Sequence, residues 1–308
     1  MAMQGSGIGG LDVGSVQLKL NDDGFYTLMI GCSDMGTGCD TILAQMAADG
    51  LGCDIDNIIV RGVDTDQSPY DSGSYASSTT YVTGGAVVKA CESMRKRICE
   101  EAAAIMGLKS GEVDFDGETI SENDNPEHSM TLSDLITSLE AGKGRMIEVT
   151  ESHTSPVSPP PFMAGAAEIE VDLETGKITP INYVAAVDCG TVINTNLARI
   201  QTEGGIVQGM GMTLYEDVQY TEAGKMKNRN FMSYKIPTRL DMGSISVEFE
   251  SSYEQTGPYG AKSIGEIVIN TPAPAIADAV YNATGLRFRT LPITAEQVMM
   301  GLLEREEA

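Results

Sequence analysis

The feature that most restricts how this chain can fold is a plan that occurs twice. Residues 13–20 and 25–30 alternate apolar with polar on either side of Asn21-Asp22-Asp23-Gly24, the pattern of a β-hairpin with one buried face. Asp34-Met35-Gly36-Thr37-Gly38 follows. Ile42, Leu43, Met46 and Ala47 then recur at helical spacing up to Gly50 or Gly52, which predicts a helix ended by glycine. Further on, residues 167–171 and 178–187 flank Glu174-Thr175-Gly176 as a second hairpin, Asp188-Cys189-Gly190 comes next, and a helix is predicted over about 196–214. Each predicted helix carries glutamine, Gln45 in the first and Gln201 and Gln208 in the second. The expectation is two similar α/β sandwich subdomains, each built as hairpin, glycine loop and helix.

Between the two plans lie a strand at 57–60, a hydroxyl-rich loop at 68–83, and a long helix over about 84–106 with Val87, Val88, Cys91, Met94, Ile98 and Ala102 as its buried stripe. The acidic stretch 107–130 reads as surface, with a hairpin signal only at Asp116-Gly117, and 132–139 as a short helix introduced by Thr131 or Ser133. Ser155-Pro156-Val157-Ser158-Pro159-Pro160-Pro161 is the strongest break, so the subdomains are set at 1–153 and 154–308. A third hairpin is expected around Glu222-Ala223-Gly224, a strand at 245–250, and two closing helices. These are 275–283, ended by Gly285, and 295–303, begun by Thr294 with Gln297 in capping-box position. Strands and helices do not alternate regularly, which favours an α+β architecture over a doubly wound sheet.

Charge and cysteine usage exclude several functions. A formal net charge of -24 repels phosphate backbones and anionic membrane surfaces. Six cysteines without paired spacing read as reduced thiols, and two histidines are too few for an imidazole metal centre. Any metal must bring its own ligand set. Asp34, Asp64 and Asp188 could together hold a divalent ion, but all three occupy turn positions where Asp commonly bonds its own backbone. No apolar run reaches the roughly 18 residues of a membrane span and no signal segment opens the chain, so a cytoplasmic location is the default expectation.

Two kinds of candidate site stand out. Gly260-Ala261-Lys262-Ser263-Ile264-Gly265-Glu266 puts one carboxylate at the end of a glycine-flanked, nearly apolar turn followed by Ile267, Val268 and Ile269. Glu266 is expected to be poorly hydrated, which would raise its pKa toward the range of a general base; the alternative is a cap for the helix that starts near Pro274. Gly36-Thr37-Gly38 and the run Tyr75-Ala76-Ser77-Ser78-Thr79-Thr80 each precede a helix start, where free amides favour an anion, though structural turns and Ser or Thr N-caps produce the same pattern. Gln201 and Gln208 share a helix face with several glycines, suited either to a heterocycle or to close packing on the sheet.

Taken in order, these blocks resemble the large, molybdenum-binding subunit of the xanthine dehydrogenase and aldehyde oxidase family. The matching segments are 31–45 (GCSDMGTGCDTILAQ), Asp64-Thr65 with 77–86, 168–172, 188–194 (DCGTVIN), 201–211 (QTEGGIVQGMG), 230–237 (NFMSYKIP) and 257–266, the last followed by Thr271-Pro272-Ala273-Pro274-Ala275-Ile276. The resemblance implies a molybdenum hydroxylase that adds water-derived oxygen to an N-heterocycle, purine-like or otherwise, or to an aldehyde, with Glu266 as the base. It implies a molybdenum–molybdopterin cofactor, in bacteria often the cytosine dinucleotide form, held by Gly36, Thr37, Gly38, Ala76, Ser77, Ser78 and Gln201. Lys262 and Ser263, in the same turn as Glu266, are counted with them. Iron-sulfur clusters and FAD on partner subunits or domains would carry the electrons away. Thr37 stands where the family commonly has glutamine, and no arginine occupies the loop at Ser78 and Thr79. The likeness covers only the C-terminal half of the family's large subunit. The N-terminal half is therefore an expected partner, the chain alone is expected to be inactive, and a non-catalytic molybdopterin carrier is the alternative.

Overall fold

The structure, a computed structural model, describes residues 1–144 and 146–306. It divides into two compact units, neither contiguous in sequence: one takes residues 5–159 and 253–263, the other 1–4, 160–252 and 264–308. The chain opens in the second of these with a two-residue strand, β1 (Ala2–Met3).

The unit of 5–159 and 253–263 is built on β2 (Gly14–Leu20) and β3 (Tyr26–Ile30). They pair antiparallel with Leu18 opposite Leu28, and Val16, Leu18, Leu20, Tyr26, Leu28 and Ile30 all face the core, as alternation requires. Next comes α1 (Cys39–Leu51), closed by Gly52 at φ 75°. The chain then returns through β4 (Ile58–Arg61), parallel to β3. The long helix α2 (Thr79–Met106) packs along β2. Its stripe is buried at Val87, Cys91, Met94, Ile98 and Ala102 and only half-buried at Val88.

The acidic stretch is mostly exposed, as expected, and the hairpin signalled at Asp116-Gly117 forms between β5 (Val113–Phe115) and β6 (Thr119–Glu122); β7 (Asn125–Thr131) extends it into a small antiparallel sheet that the sequence did not reveal. Val113, Phe115 and Ile120 form its buried face. Thr131 then caps α3 (Leu132–Lys143) through a reciprocal box with Asp134. The last strand, β8 (Glu148–His153), pairs antiparallel with β2, giving the order β4-β3-β2-β8.

The other unit repeats this topology. β9 (Phe162–Val171) and β10 (Ile178–Asp188) form the hairpin, α4 (Thr195–Leu214) follows, and β11 (Ser244–Phe249) lies parallel to β10. α5 (Pro272–Thr284) packs on β9 as α2 packs on β2, and α4 packs on α5 as α1 packs on α2. The position that β8 holds beside β2 is taken beside β9 by β1, giving the order β1-β9-β10-β11. The duplicated unit is thus hairpin, helix, parallel strand, helix, with an antiparallel strand added at the hairpin's outer edge. α6 (Ala295–Glu306) closes the chain, its start boxed by Thr294 and Gln297.

The expected third hairpin is reduced to one bridge between Tyr220 and Met226, and Phe231 and Met232 beyond it are 81% and 87% exposed. All six cysteines are free thiols. Among the described residues no helix is long and apolar enough to cross a membrane.

Candidate functional site

Glu266 belongs to the unit containing α4 and α5. The side chain is exposed, which corrects the expectation of a desolvated carboxylate: the apolar residues after it point inward, Ile267 and Val268 being fully buried, while Glu266 itself does not. It does not cap α5 either. That helix begins at Pro272 with Thr271 before it, and Glu266 instead precedes a single 3-10 turn, Ile267–Ile269. Its carboxylate accepts a hydrogen bond of 3.3 Å from Nε2 of Gln4.

The backbone carrying Glu266 is held by the glycine face of α4. A β-carbon on Gly205 would lie 2.1 Å from Cγ2 of Val268, and one on Gly209 would lie 2.7 Å from Cγ of Pro272. Glycine is needed in this helix because the segment 268–272 lies directly against it. Of the two glutamines on α4, Gln201 is half-buried one turn before Gly205 and Gln208 is exposed.

The remaining candidate residues fall in the unit with α1 and α2. Ala76 and Ser77 both adopt left-handed backbone, φ 50° and 56°, a conformation that costs a non-glycine residue about 1–3 kcal/mol. Gly7 helps hold it, donating its N–H to the Ala76 carbonyl at 2.8 Å. Ser78 stands at the N-cap of α2, yet its hydroxyl donates to the Gly73 carbonyl at 2.8 Å and does not cap the helix. Thr79 Oγ1, the first hydroxyl inside the helix, is buried without a partner among the described residues.

Ser263 and Lys262 are only 2% and 8% exposed. Ser263 donates its N–H to Ser6 Oγ at 3.0 Å, while its own hydroxyl is buried and unpartnered. Their segment is fixed by Tyr259, whose hydroxyl donates to the Met46 carbonyl at 3.0 Å, and by Pro258, whose Cγ would lie 3.0 Å from a β-carbon on Gly84. Tyr259 is itself left-handed, at φ 52°.

The start of α1 differs in kind. Asp34 accepts the N–H groups of Gly36, Gly38 and Asp40 at 2.8, 3.2 and 3.3 Å. Burial pushes its carboxyl up, but these bonds and one from Thr37 hold it below the usual carboxylate range. The amides of the glycine loop thus already serve an anion supplied by the chain. Asp64 and Asp188 are likewise engaged by their own turns, through the N–H groups of Asp66 and Gly190.

The residues at α2 fit an anionic, hydrogen-bonding cofactor. A helix N-terminus without a side-chain cap leaves amides to donate, and the buried hydroxyls of Thr79 and Ser263 have no partner among the described residues. At α1 the Asp34 carboxylate would compete with an anion, and Gly36, Thr37 and Gly38 offer a surface for close approach instead.

The molybdopterin cofactor-binding domain family matches residues 1–243, and the chain belongs to that family. It is 33% identical over 97% of its length to the probable hypoxanthine oxidase XdhD of Escherichia coli K12, of which it spans 31%. With the putative xanthine dehydrogenase molybdenum-binding subunit XdhA of the same organism it shares 29% identity over 94% of its length, spanning 39% of that protein. Quinoline 2-oxidoreductase from Pseudomonas putida 86 has the same fold, with a TM-score of 0.88 and 24% identity over 98% of this chain and 41% of that one. The chain therefore spans between 31% and 41% of the length of these relatives.

Proposed function

We propose that this chain is the cofactor-binding and base-bearing part of a molybdenum hydroxylase that oxidises an N-heterocycle of the purine type or an aldehyde, with oxygen derived from water. The observation that carries the reading is Glu266, an exposed carboxylate on a backbone fixed by Gly205 and Gly209, four residues after the buried Lys262. The matched relatives named for xanthine and hypoxanthine support the substrate class. The molybdenum–molybdopterin cofactor, in its cytosine dinucleotide form, supplies two-electron oxidation and the activation of water when bound.

The chain's own residues hold and orient. The first α2 amides, from Thr79 on, the bend at Ala76 and Ser77, and the Ser263 hydroxyl take the cofactor's polar and anionic groups, while Lys262 contributes positive charge. Gln201 offers both a donor and an acceptor to the pterin, and Gly36, Thr37 and Gly38 allow close approach. Glu266 would accept the proton released as water's oxygen bonds the substrate carbon, and the pair of electrons from the C–H bond that breaks would be what the bound cofactor takes up. The N-terminal half of the family subunit completes the pocket, and iron-sulfur clusters and FAD on partners pass the electrons on, so the chain by itself is inactive.

Glu266→Gln in the assembled enzyme tests this. General-base catalysis is worth about 10²–10⁴ in rate; turnover should fall by about that factor with molybdenum content unchanged. Near-normal turnover would remove the role given to Glu266. Molybdenum retained by the chain alone after gentle purification would favour a cofactor carrier instead.

A further inference from the structure

We infer that Gln4 is a positioning residue for Glu266. This rests on the reading of Glu266 as the base. The two residues are 262 positions apart in sequence, yet Nε2 of Gln4 lies 3.3 Å from Oε2 of Glu266. Gln4 is held in place by what precedes it. β1 pairs with β9 through Ala2 opposite Met163 and Met3 opposite Phe162, and the Gln4 N–H donates to the Pro161 carbonyl at 3.4 Å. Glu266 has the complementary arrangement, a fixed backbone and an exposed side chain.

An exposed glutamate has several rotamers of similar energy, and a general base must present one oxygen to one proton. The amide of Gln4 can only donate to a carboxylate through Nε2, so the contact fixes the direction in which Oε2 of Glu266 is turned. Two residues of edge strand, which complete a sheet beside β9, thereby acquire a second use.

Gln4→Met keeps the length and removes the donor. In the assembled enzyme it should lower kcat about tenfold, with KM and molybdenum content unchanged, since misplacing a reacting group acts on the chemical step. Combined with Glu266→Gln it should cost nothing further, because once the base is gone its positioning no longer matters. A second readout uses the 308-residue chain without cofactor: the side-chain amide signals of Gln4, observed by NMR after glutamine ¹⁵N labelling, should move in Glu266→Met. Equal costs for Gln4→Met in both backgrounds, or amide signals indifferent to Glu266→Met, would overturn the inference. Amide signals that move while Glu266→Gln retains full turnover would leave the contact intact and remove both the base and its positioning.

Discussion

Gly205 and Val268 are so close that a β-carbon on the glycine would sit 2.1 Å from Cγ2 of the valine. Gly205→Ala gains about 1 kcal/mol of helix propensity but forces a methyl group into a packed contact, which costs about 1–3 kcal/mol. The clash is with a β-branched side chain on a turn that cannot retreat easily, so the variant should be destabilised. Gly204, one residue earlier, has nothing within 4 Å, and Gly204→Ala should gain roughly 0.5–1 kcal/mol. Urea midpoints moving in opposite directions for these neighbouring changes would confirm the assignment; a shift in the same direction would refute it.

Ser263→Ala separates stability from binding. The hydroxyl is buried and makes no hydrogen bond among the described residues, so its removal should leave the unfolding midpoint unchanged or raise stability by about 1 kcal/mol. In the assembled enzyme the same variant should hold less molybdenum. Reduced stability of the chain with full molybdenum content would show that the hydroxyl serves the fold and not the cofactor.

His153 should make stability depend on pH in a defined window. Its Nδ1 is buried without a partner among the described residues, and burial, then the nearby Lys89, lower its pKa below the ordinary 6.5. The unfolded chain therefore binds this proton more readily than the folded one, and stability should fall as the pH drops below 6.5. His153→Phe should flatten the decline in Tm between pH 6.5 and 5. Asp34 acts in a separate range, because its lowered pKa stabilises the fold above 3.8 and that contribution is lost only at more acid pH. An equal loss of Tm in wild type and His153→Phe across the upper window would rule out the histidine.

Phe115→Ala tests the small sheet. The ring is fully buried and lies beneath the Arg95 guanidinium, 5.5 Å from its centroid, so truncation should cost about 3–5 kcal/mol. A loss under about 1 kcal/mol would mean that 113–131 contributes little to the core.

How legible these features were depended on how locally each is determined. The hairpin around Asn21 to Gly24 and the cap pairs Thr131 with Asp134 and Thr294 with Gln297 are fixed within a few residues, and they form where alternation and capping place them. α2 begins five residues before its expected start because Thr79 to Thr83 lack the apolar period of the rest, although Tyr81 and Val82 are buried. Of the sheet at 113–131 only the turn at Asp116-Gly117 was legible, because only Val113, Phe115 and Ile120 are apolar and inward in a run otherwise mostly polar or charged; its face is completed by other elements. Glu266 shows the same limit: the apolar neighbours that suggested burial are themselves buried, and nothing local reveals that the carboxylate turns outward to Gln4. That partner is 262 positions away and has no sequence signature.

The chain moves between its two units at 4/5, 159/160, 252/253 and 263/264. A gene divided at the proline-rich run would thus not yield two complete proteins. The later fragment would lack the edge strand that lines β9 and the glutamine that reaches Glu266. It would also carry Tyr259 and Pro258 without the Met46 and Gly84 they rest on. Each copy of the topology takes backbone from both sides of the proline-rich run, so neither is a single segment of the chain.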